Sequence, residues 1–320
     1  MFMLRLKMWL LVTALFGIVY ALIVILGYYA GINNFYFYLL ASAGVMLLQY
    51  LLGPLIVEWT MQVRYIKREE NPSLYNMVEG LAAQAGIPAP RVAISNIALP
   101  NAFAFGRSVR DGRVCVTAGI LKLLNADELR AVLGHEISHI KNRDVLTITL
   151  LSVIPLIMYR IAWQLLFFGR RDSNRSGGGA ALIGLVAFVF YFITNLLVLY
   201  ASRIREYFAD RGSIALGNPP SALASSLYKL VYGSARADKD EIREHEGLKA
   251  FFVNDPSQAM NELRELRQLD TNKDGTIDFA ELAVLSGKKV RLSFTDKLME
   301  ALSTHPNMLR RIKKLSEYNN

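Results

Sequence analysis

Asn125-Ala126-Asp127-Glu128-Leu129-Arg130-Ala131-Val132-Leu133-Gly134-His135-Glu136-Ile137-Ser138-His139 is the stretch whose reading decides the fold. Asn125 and Glu128 have the spacing of a capping box, in which each side chain satisfies the other residue's backbone N–H at a helix start. Leu129, Val132, Leu133, Ile137 and Ile140 recur at helical spacing and give this helix an apolar face. His135 and His139 then share a face one turn apart, so two imidazoles reach one zinc ion. Glu136 lies beside them, placed to take a proton from an attacking water. The plain alternative is a core helix with two ordinary histidines.

A zinc hydrolase site wants a third protein ligand and an open position. Ser202-Arg203-Ile204-Arg205-Glu206-Tyr207-Phe208-Ala209-Asp210 supplies a candidate. Glu206 can ligate the metal, and Asp210, one turn later, can accept from a ligand histidine and orient it. Taken alone, two acids among arginines read as a solvated ion-pairing face. Their placement argues for the metal. An apolar hairpin separates them from His139, and a membrane hairpin returns the chain to the surface it left.

Membrane insertion follows from composition. Of 320 residues, 53% are hydrophobic and only 20% charged, and residues 8–57 contain no Asp, Glu, Lys or Arg. That run is long enough for two spans of ~20 residues, near 9–29 and 35–57, broken at Gly31-Ile32-Asn33-Asn34. A second apolar run so close behind argues against a cleaved signal peptide. Further apolar segments cover 145–168, which contains Pro155 and Arg160, and 180–202. Lys and Arg flank the first hairpin on both sides, so the positive-inside rule puts both its ends in the cytoplasm. Arg170, Arg171 and Arg175 in the later loop strain that rule. The second hairpin therefore either crosses as an exception or dips in without crossing. The net charge of +9 fits an anionic lipid surface more economically than nucleic acid. One cysteine, Cys115, excludes an intramolecular disulfide and a cysteine-based zinc cluster.

The expected organisation is an N-terminal transmembrane hairpin (1–57), a first part of a metalloprotease domain (58–144), a second hairpin (145–202) and a second part (203–320). In the first part, Asn71-Pro72 starts a helix that ends near Gly86. Short strands are expected at 91–95, 102–105 and 113–117, the last two as a hairpin around Asp111-Gly112. The fold class is mainly α with a small β-sheet, in an integral membrane protein with about four transmembrane or re-entrant helices.

These motifs, with Asn101-Ala102-Phe103-Ala104-Phe105-Gly106 and Ser303-Thr304-His305-Pro306 followed by Arg311-Ile312, resemble the HtpX-type membrane zinc metalloproteases, relatives of the CAAX prenyl proteases. The resemblance covers nearly the whole chain. It implies a cytoplasm-facing gluzincin domain at the inner or plasma membrane that cleaves membrane or misfolded proteins as quality control. It also implies that Asn101, Ala102, Phe103, Ala104 and Phe105 form an edge strand that binds substrate backbone by β-addition, with Arg311 in the substrate cleft. His305 is implied near the site, as a transition-state donor or gate; otherwise it is a helix-start residue before Pro306. His245 matches no motif.

One feature departs from that family. Asp270-Thr271-Asn272-Lys273-Asp274-Gly275-Thr276-Ile277-Asp278-Phe279-Ala280-Glu281 fits a calcium-binding EF-hand loop. Asp270, Asn272 and Asp274 supply the first oxygen donors, Gly275 the sharp turn and Thr276 a carbonyl. Asp278 and the bidentate Glu281 complete the set. Leu263, Leu266 and Leu269 mark an entering helix, within an insert at about 257–292. Calcium either modulates turnover or only stabilises that insert.

The expected activity is a zinc-dependent endopeptidase with Glu136 as base, His135, His139 and Glu206 as Zn2+ ligands, and Ca2+ as a second cation. Its partners are unfolded or membrane polypeptides and the bilayer. A vestigial, calcium-responsive binding protein and a CAAX-processing protease are the alternatives.

Overall fold

The computed structural model describes residues 35–144, 177–237, 259–287, 297, 300–303 and 305–318. The expected segments at 9–29 and 145–168, His245 and the two ends of the insert lie outside them. The chain divides into two compact units, Met1–Gly53 with Thr147–Ala201 and Pro54–Leu146 with Ser202–Asn320.

In the first unit, the described residues belong to helix α1 (Phe35–Thr60) and to the start of a 39-residue helix at Gly177–Ala215. Leu40, Leu47 and Leu48 on the first and Leu185, Phe188 and Phe192 on the second are exposed. A surface of this size and apolarity marks contact with lipid or another apolar partner. Within the longer helix, Gly184–Ala215 is long and apolar enough to cross a membrane, and among the described residues it is the one segment that is. The expected number of four crossings is therefore not established.

The second unit is built on a four-stranded sheet. Its strands are β1 (Val63–Tyr65), β2 (Arg91–Ser95), β3 (Ala102–Phe105) and β4 (Arg113–Thr117), in the order β1-β2-β4-β3. β2 and β4 are parallel, while β1 and β3 run antiparallel to their neighbours. β3 is thus an edge strand, and β3 and β4 pair as expected. β1 went unread in the sequence because three residues are too few to show alternation. Side chains alternate across β4 as the pleat requires. Val114 and Val116 face the main core, and Cys115 faces a smaller cluster with Phe103, Phe105, Val57 and Met61.

The helices of this unit are α2 (Pro72–Ala85), α3 (Ala118–Leu123), α4 (Ala126–Lys141), the part of α5 (Gly177–Ala215) from Ser202 onward, α6 (Pro220–Arg236), α7 (Ala259–Leu266), α8 (Phe279–Ser286) and α9 (Met308–Ser316). The terminal signals behave as read. Asn71 Oδ1 accepts from Leu74 N at 3.1 Å, and Gly86 ends α2 in the left-handed region. Asn125 and Glu128 form the reciprocal cap of α4. Glu128 also accepts from Ser225 Oγ at 2.6 Å and Lys229 Nζ at 3.0 Å, which pins the start of α4 to α6. From Ala131 to Ile140 every residue of α4 is buried, polar ones included. The expected one-sided apolar helix is in fact the centre of the unit.

The described part of the expected insert packs into the main core. Leu263 and Leu266 of α7, Ile277 of the loop, and Leu282 and Leu285 of α8 belong to the same core as Leu133 and Ile312.

Candidate metal centre

Two glycines bring the ligand-bearing helices together. A Cβ on Gly134 of α4 would collide with Asn218 Nδ2 and stand 2.8 Å from Ser213 Oγ. A Cβ on Gly212 of α5 would collide with Ser138 Oγ and stand 2.6 Å from Ser138 Cβ. The hydroxyls at this crossing are spent on main-chain carbonyls, Ser213 Oγ donating to Ala131 O at 2.6 Å and Ser138 Oγ to Gly134 O at 2.8 Å. Close approach here sets the face carrying His135 and His139 against the turn carrying Glu206 and Asp210.

Each histidine is oriented by its own carboxylate. His135 Nδ1 lies 2.8 Å from Asp210 Oδ1, and His139 Nδ1 lies 3.0 Å from Asp144 Oδ2. An imidazole that donates from Nδ1 presents a bare Nε2, the tautomer a metal needs. The two Nε2 atoms stand 3.0 Å apart, and each is 3.5 Å from an oxygen of Glu206. Bare ring nitrogens at that separation repel unless a proton or a cation lies between them. Burial pushes the His135 imidazole down, but the hydrogen bond it donates to Asp210 and the negative charges of Asp210 and Glu206 outweigh it and hold it up at about 10.

The residues fit zinc. The ligand atoms of His135, His139 and Glu206 lie within 4.8 Å of one another, all three residues buried. Glu206 Oε2 is buried without a hydrogen bond, although Arg311 Nη1 stands 3.0 Å away in ion-pair range. A carboxylate oxygen left unbonded beside two converging imidazoles is the donor set of a tetrahedral zinc site with one open position.

Glu136 is buried next to this group, on the helix that packs against β3 near Ala104. Burial raises its carboxyl above the ordinary range, against the lowering charges of His139 and His135. The strand expected at the substrate cleft therefore runs beside the expected base. Asn101, Ala102, Phe103 and Phe105 are buried, and Ala104 alone is partly exposed.

Arg311 is elsewhere than expected. It is fully buried, donates to both oxygens of Asp210 at 3.0 and 2.7 Å, and pairs with Glu206. A guanidinium so occupied braces the carboxylates behind the ligands; it does not line a substrate cleft. His305 is buried and close enough to Glu206 for its charge to act on that carboxylate.

Asp144 escaped the sequence reading. It is a single acid at the end of the soluble stretch, and no periodicity or motif points to it. Arg205 Nη1 donates to its carbonyl at 3.0 Å, tying the His139 partner to the Glu206 helix.

The loop between α7 and α8 has the expected turn, with positive φ at Lys273 and Gly275. Its acids hold its own backbone. Asp270 accepts from Asp274 N and Gly275 N, each at 3.1 Å, and from Tyr228 Oη at 3.2 Å. Asn272 Oδ1 accepts from Asp274 N at 2.9 Å, and Asp274 accepts from Thr276 N and Oγ1. Glu281 accepts from Thr271 N, and Asp278 with Glu281 forms the capping box of α8.

The sequence pattern of peptidase family M48 matches residues 68–319. A protease HtpX homolog of Methanothermobacter thermautotrophicus is 52% identical over 228 residues, 71% of this chain and 86% of that protein. The protease HtpX homolog 2 of Methanosarcina acetivorans is 40% identical over 219 residues, 68% of this chain and 74% of that protein. The crystal structure of S. mikatae Ste24p aligns with a TM-score of 0.48 and 15% identity, covering 97% of this chain and 65% of that one.

Proposed function

Starting from the premise that this chain belongs to peptidase family M48 and is a metalloprotease, we propose that it is a zinc endopeptidase, embedded in the membrane, that cleaves unfolded or membrane polypeptides near the cytoplasmic face. The observation that carries this reading is the convergence of His135 Nε2, His139 Nε2 and the Glu206 carboxylate beside a buried Glu136.

His135, His139 and Glu206 would hold the metal, which when bound supplies a Lewis acid for the scissile carbonyl and a fixed place for the attacking water. Glu136 takes a proton from that water and returns it to the departing amine. A carboxyl raised by burial suits both transfers at neutral pH. Asp210 and Asp144 keep the two imidazoles in register. His305 donates to the carbonyl oxygen as negative charge develops on it. Substrate enters extended beside β3 and meets that edge through its backbone, since the strand's own side chains, Ala104 apart, are buried.

The bilayer reading draws on the uncharged run 8–57, on the exposed leucines of α1 and on the apolar Gly184–Ala215. The cytoplasmic placement of the peptidase unit, in a multi-pass protein of the inner or plasma membrane, is the reading supported by the lysines and arginines that flank the first apolar hairpin. Quality control is the role that such a site on such an anchor serves. Calcium modulation rests on the donor set of the 270–281 loop, whose internal bonds a cation would have to replace.

The test is cleavage of a destabilised model membrane protein by the detergent-purified chain. Cleavage should vanish with a zinc chelator and return with zinc. Activity that survives thorough zinc removal contradicts the reading. Repeating the assay between a calcium chelator and saturating calcium, at fixed zinc, decides modulation: an unchanged rate makes the loop structural.

A further inference from the structure

The turn that carries His305 is held from the helix that carries Glu206. Arg203 lies one turn before Glu206 on α5. Its Nη1 is within hydrogen-bond distance of three main-chain carbonyls, Glu300 O at 2.8 Å, Ala301 O at 2.9 Å and Ser303 O at 2.8 Å. Carbonyls at the end of a helical turn lack partners of their own, and a cation there also meets the negative end of the peptide dipoles. Nη1 has two hydrogens for three acceptors, so one hydrogen is shared. Such an arrangement fixes backbone. A surface arginine pairing with a mobile carboxylate does not.

The same turn is braced from its other side. Glu300 accepts from Arg310 Nη1 at 2.7 Å and from Asn307 N at 3.3 Å, and Ser303 Oγ accepts from His305 N at 3.2 Å. His305 itself is buried, within range for its charge to act on Glu206. One helix therefore supplies both a metal ligand and the anchor of the histidine across from it.

We propose that Arg203 is a positioning residue: it locks residues 300–303 against α5 and thereby, through the bond of His305 N to Ser303 Oγ, sets the His305 imidazole at the metal centre, without touching substrate. The proposal rests on the reading of His305 as a donor to the reacting carbonyl. Because Glu206 and Arg203 sit on one helix, the element that presents the ligand also holds the turn that carries the donor.

The test uses the full chain in detergent with Arg203→Met, Arg203→Lys, His305→Ala and the double variant Arg203→Met/His305→Ala. Zinc content and the thermal midpoint establish that each is folded. Arg203→Met should keep its zinc and lose kcat by the same factor as His305→Ala, roughly 10²-fold for loss of one charge-stabilising donor, with KM unchanged. Arg203→Lys, which keeps the cation and its donors, should recover much of that loss. The double variant should be no worse than either single one, because residues acting as a unit are not additive. Hydrogen exchange over residues 300–307 should accelerate at least tenfold in Arg203→Met, while exchange over 126–141 stays unchanged.

Unaltered exchange over 300–307 overturns the proposal, as does a double-variant loss equal to the product of the single losses. Zinc loss in Arg203→Met also overturns it, since the residue would then be holding the ligand helix. Full turnover in His305→Ala contradicts the reading of His305 instead. The two failures are distinguishable because exchange reports the hold of Arg203 on the turn independently of activity.

Discussion

Arg311 and Asp210 form a two-point ion pair sealed inside the protein, Nε to Oδ2 at 3.0 Å and Nη2 to Oδ1 at 2.7 Å. The same Oδ1 faces His135 Nδ1 at 2.8 Å. Arg311 on the C-terminal helix thus fixes the carboxylate that fixes a metal ligand. Removing it would take from Asp210 and Glu206 the guanidinium that both of them pair with. Breaking a buried pair on one side costs about 3–5 kcal/mol, so Arg311→Leu should unfold at much lower urea than the parent. Arg311→Lys, which keeps the charge but not the planar fork, should fall between them. An Arg311→Leu chain within about 1 kcal/mol of the parent would mean that the pair adds no net stability.

Asp144 should matter for metal and little for substrate. Losing an outer carboxylate that orients a ligand imidazole typically lowers metal affinity about 10–100-fold. Asp144→Ala should sit near the top of that range and Asp144→Asn, which can still accept from His139 Nδ1, near the bottom. Competition with a chromophoric chelator measures both. Unweakened zinc binding by Asp144→Ala would remove the residue from the centre.

The contrast between Asp144 and Glu206 shows what the sequence could disclose. Helix starts, the Gly86 stop and the His135/His139 face are local patterns, written within a few residues, and they were legible. Glu206 and Asp210 were legible because one turn of helix relates them and the apolar hairpin argued for proximity. Asp144 has no such frame, and its meaning comes from a ring it meets only in the folded chain. Arg311 came to the cleft only through the family resemblance, since the sequence does not show the two acids that it pairs with. How the α7–α8 segment packs was not legible, because an amphipathic helix reads alike whether it covers its own small core or, as here, shares Leu263 and Leu266 with the main one.

The Gly134/Gly212 crossing should tolerate no added carbon. Ser138 Cβ stands 2.6 Å from the place a side chain would start at Gly212, and Ser138 cannot swing its Cβ away. Gly212→Ala should cost about 1–3 kcal/mol through overpacking. Forcing α4 and α5 apart at this point should also weaken zinc binding, read by the same chelator competition. A variant as stable and as metal-avid as the parent would show that the helices can separate without penalty.

Cys115 should be inert in the folded protein. Burial pushes its thiol up to about 12, and a raised thiol pKa means less thiolate at any pH below it. At pH 8 only about one thiol in ten thousand is ionised. Alkylation by iodoacetamide should therefore be negligible at pH 8 in the native chain and rapid after denaturation. Fast native labelling would place Cys115 at a surface.

Zinc content and turnover, measured side by side in Glu136→Gln and the parent, test the central claim most directly. Glu136 is assigned to proton transfer and His135, His139 and Glu206 to the metal, so the substitution should leave one zinc per chain while cleavage falls by roughly 10²–10⁴-fold, the span of general acid–base contributions. A Glu136→Gln chain that has lost its zinc, or one that still cleaves at the parent's rate, would contradict that division of roles.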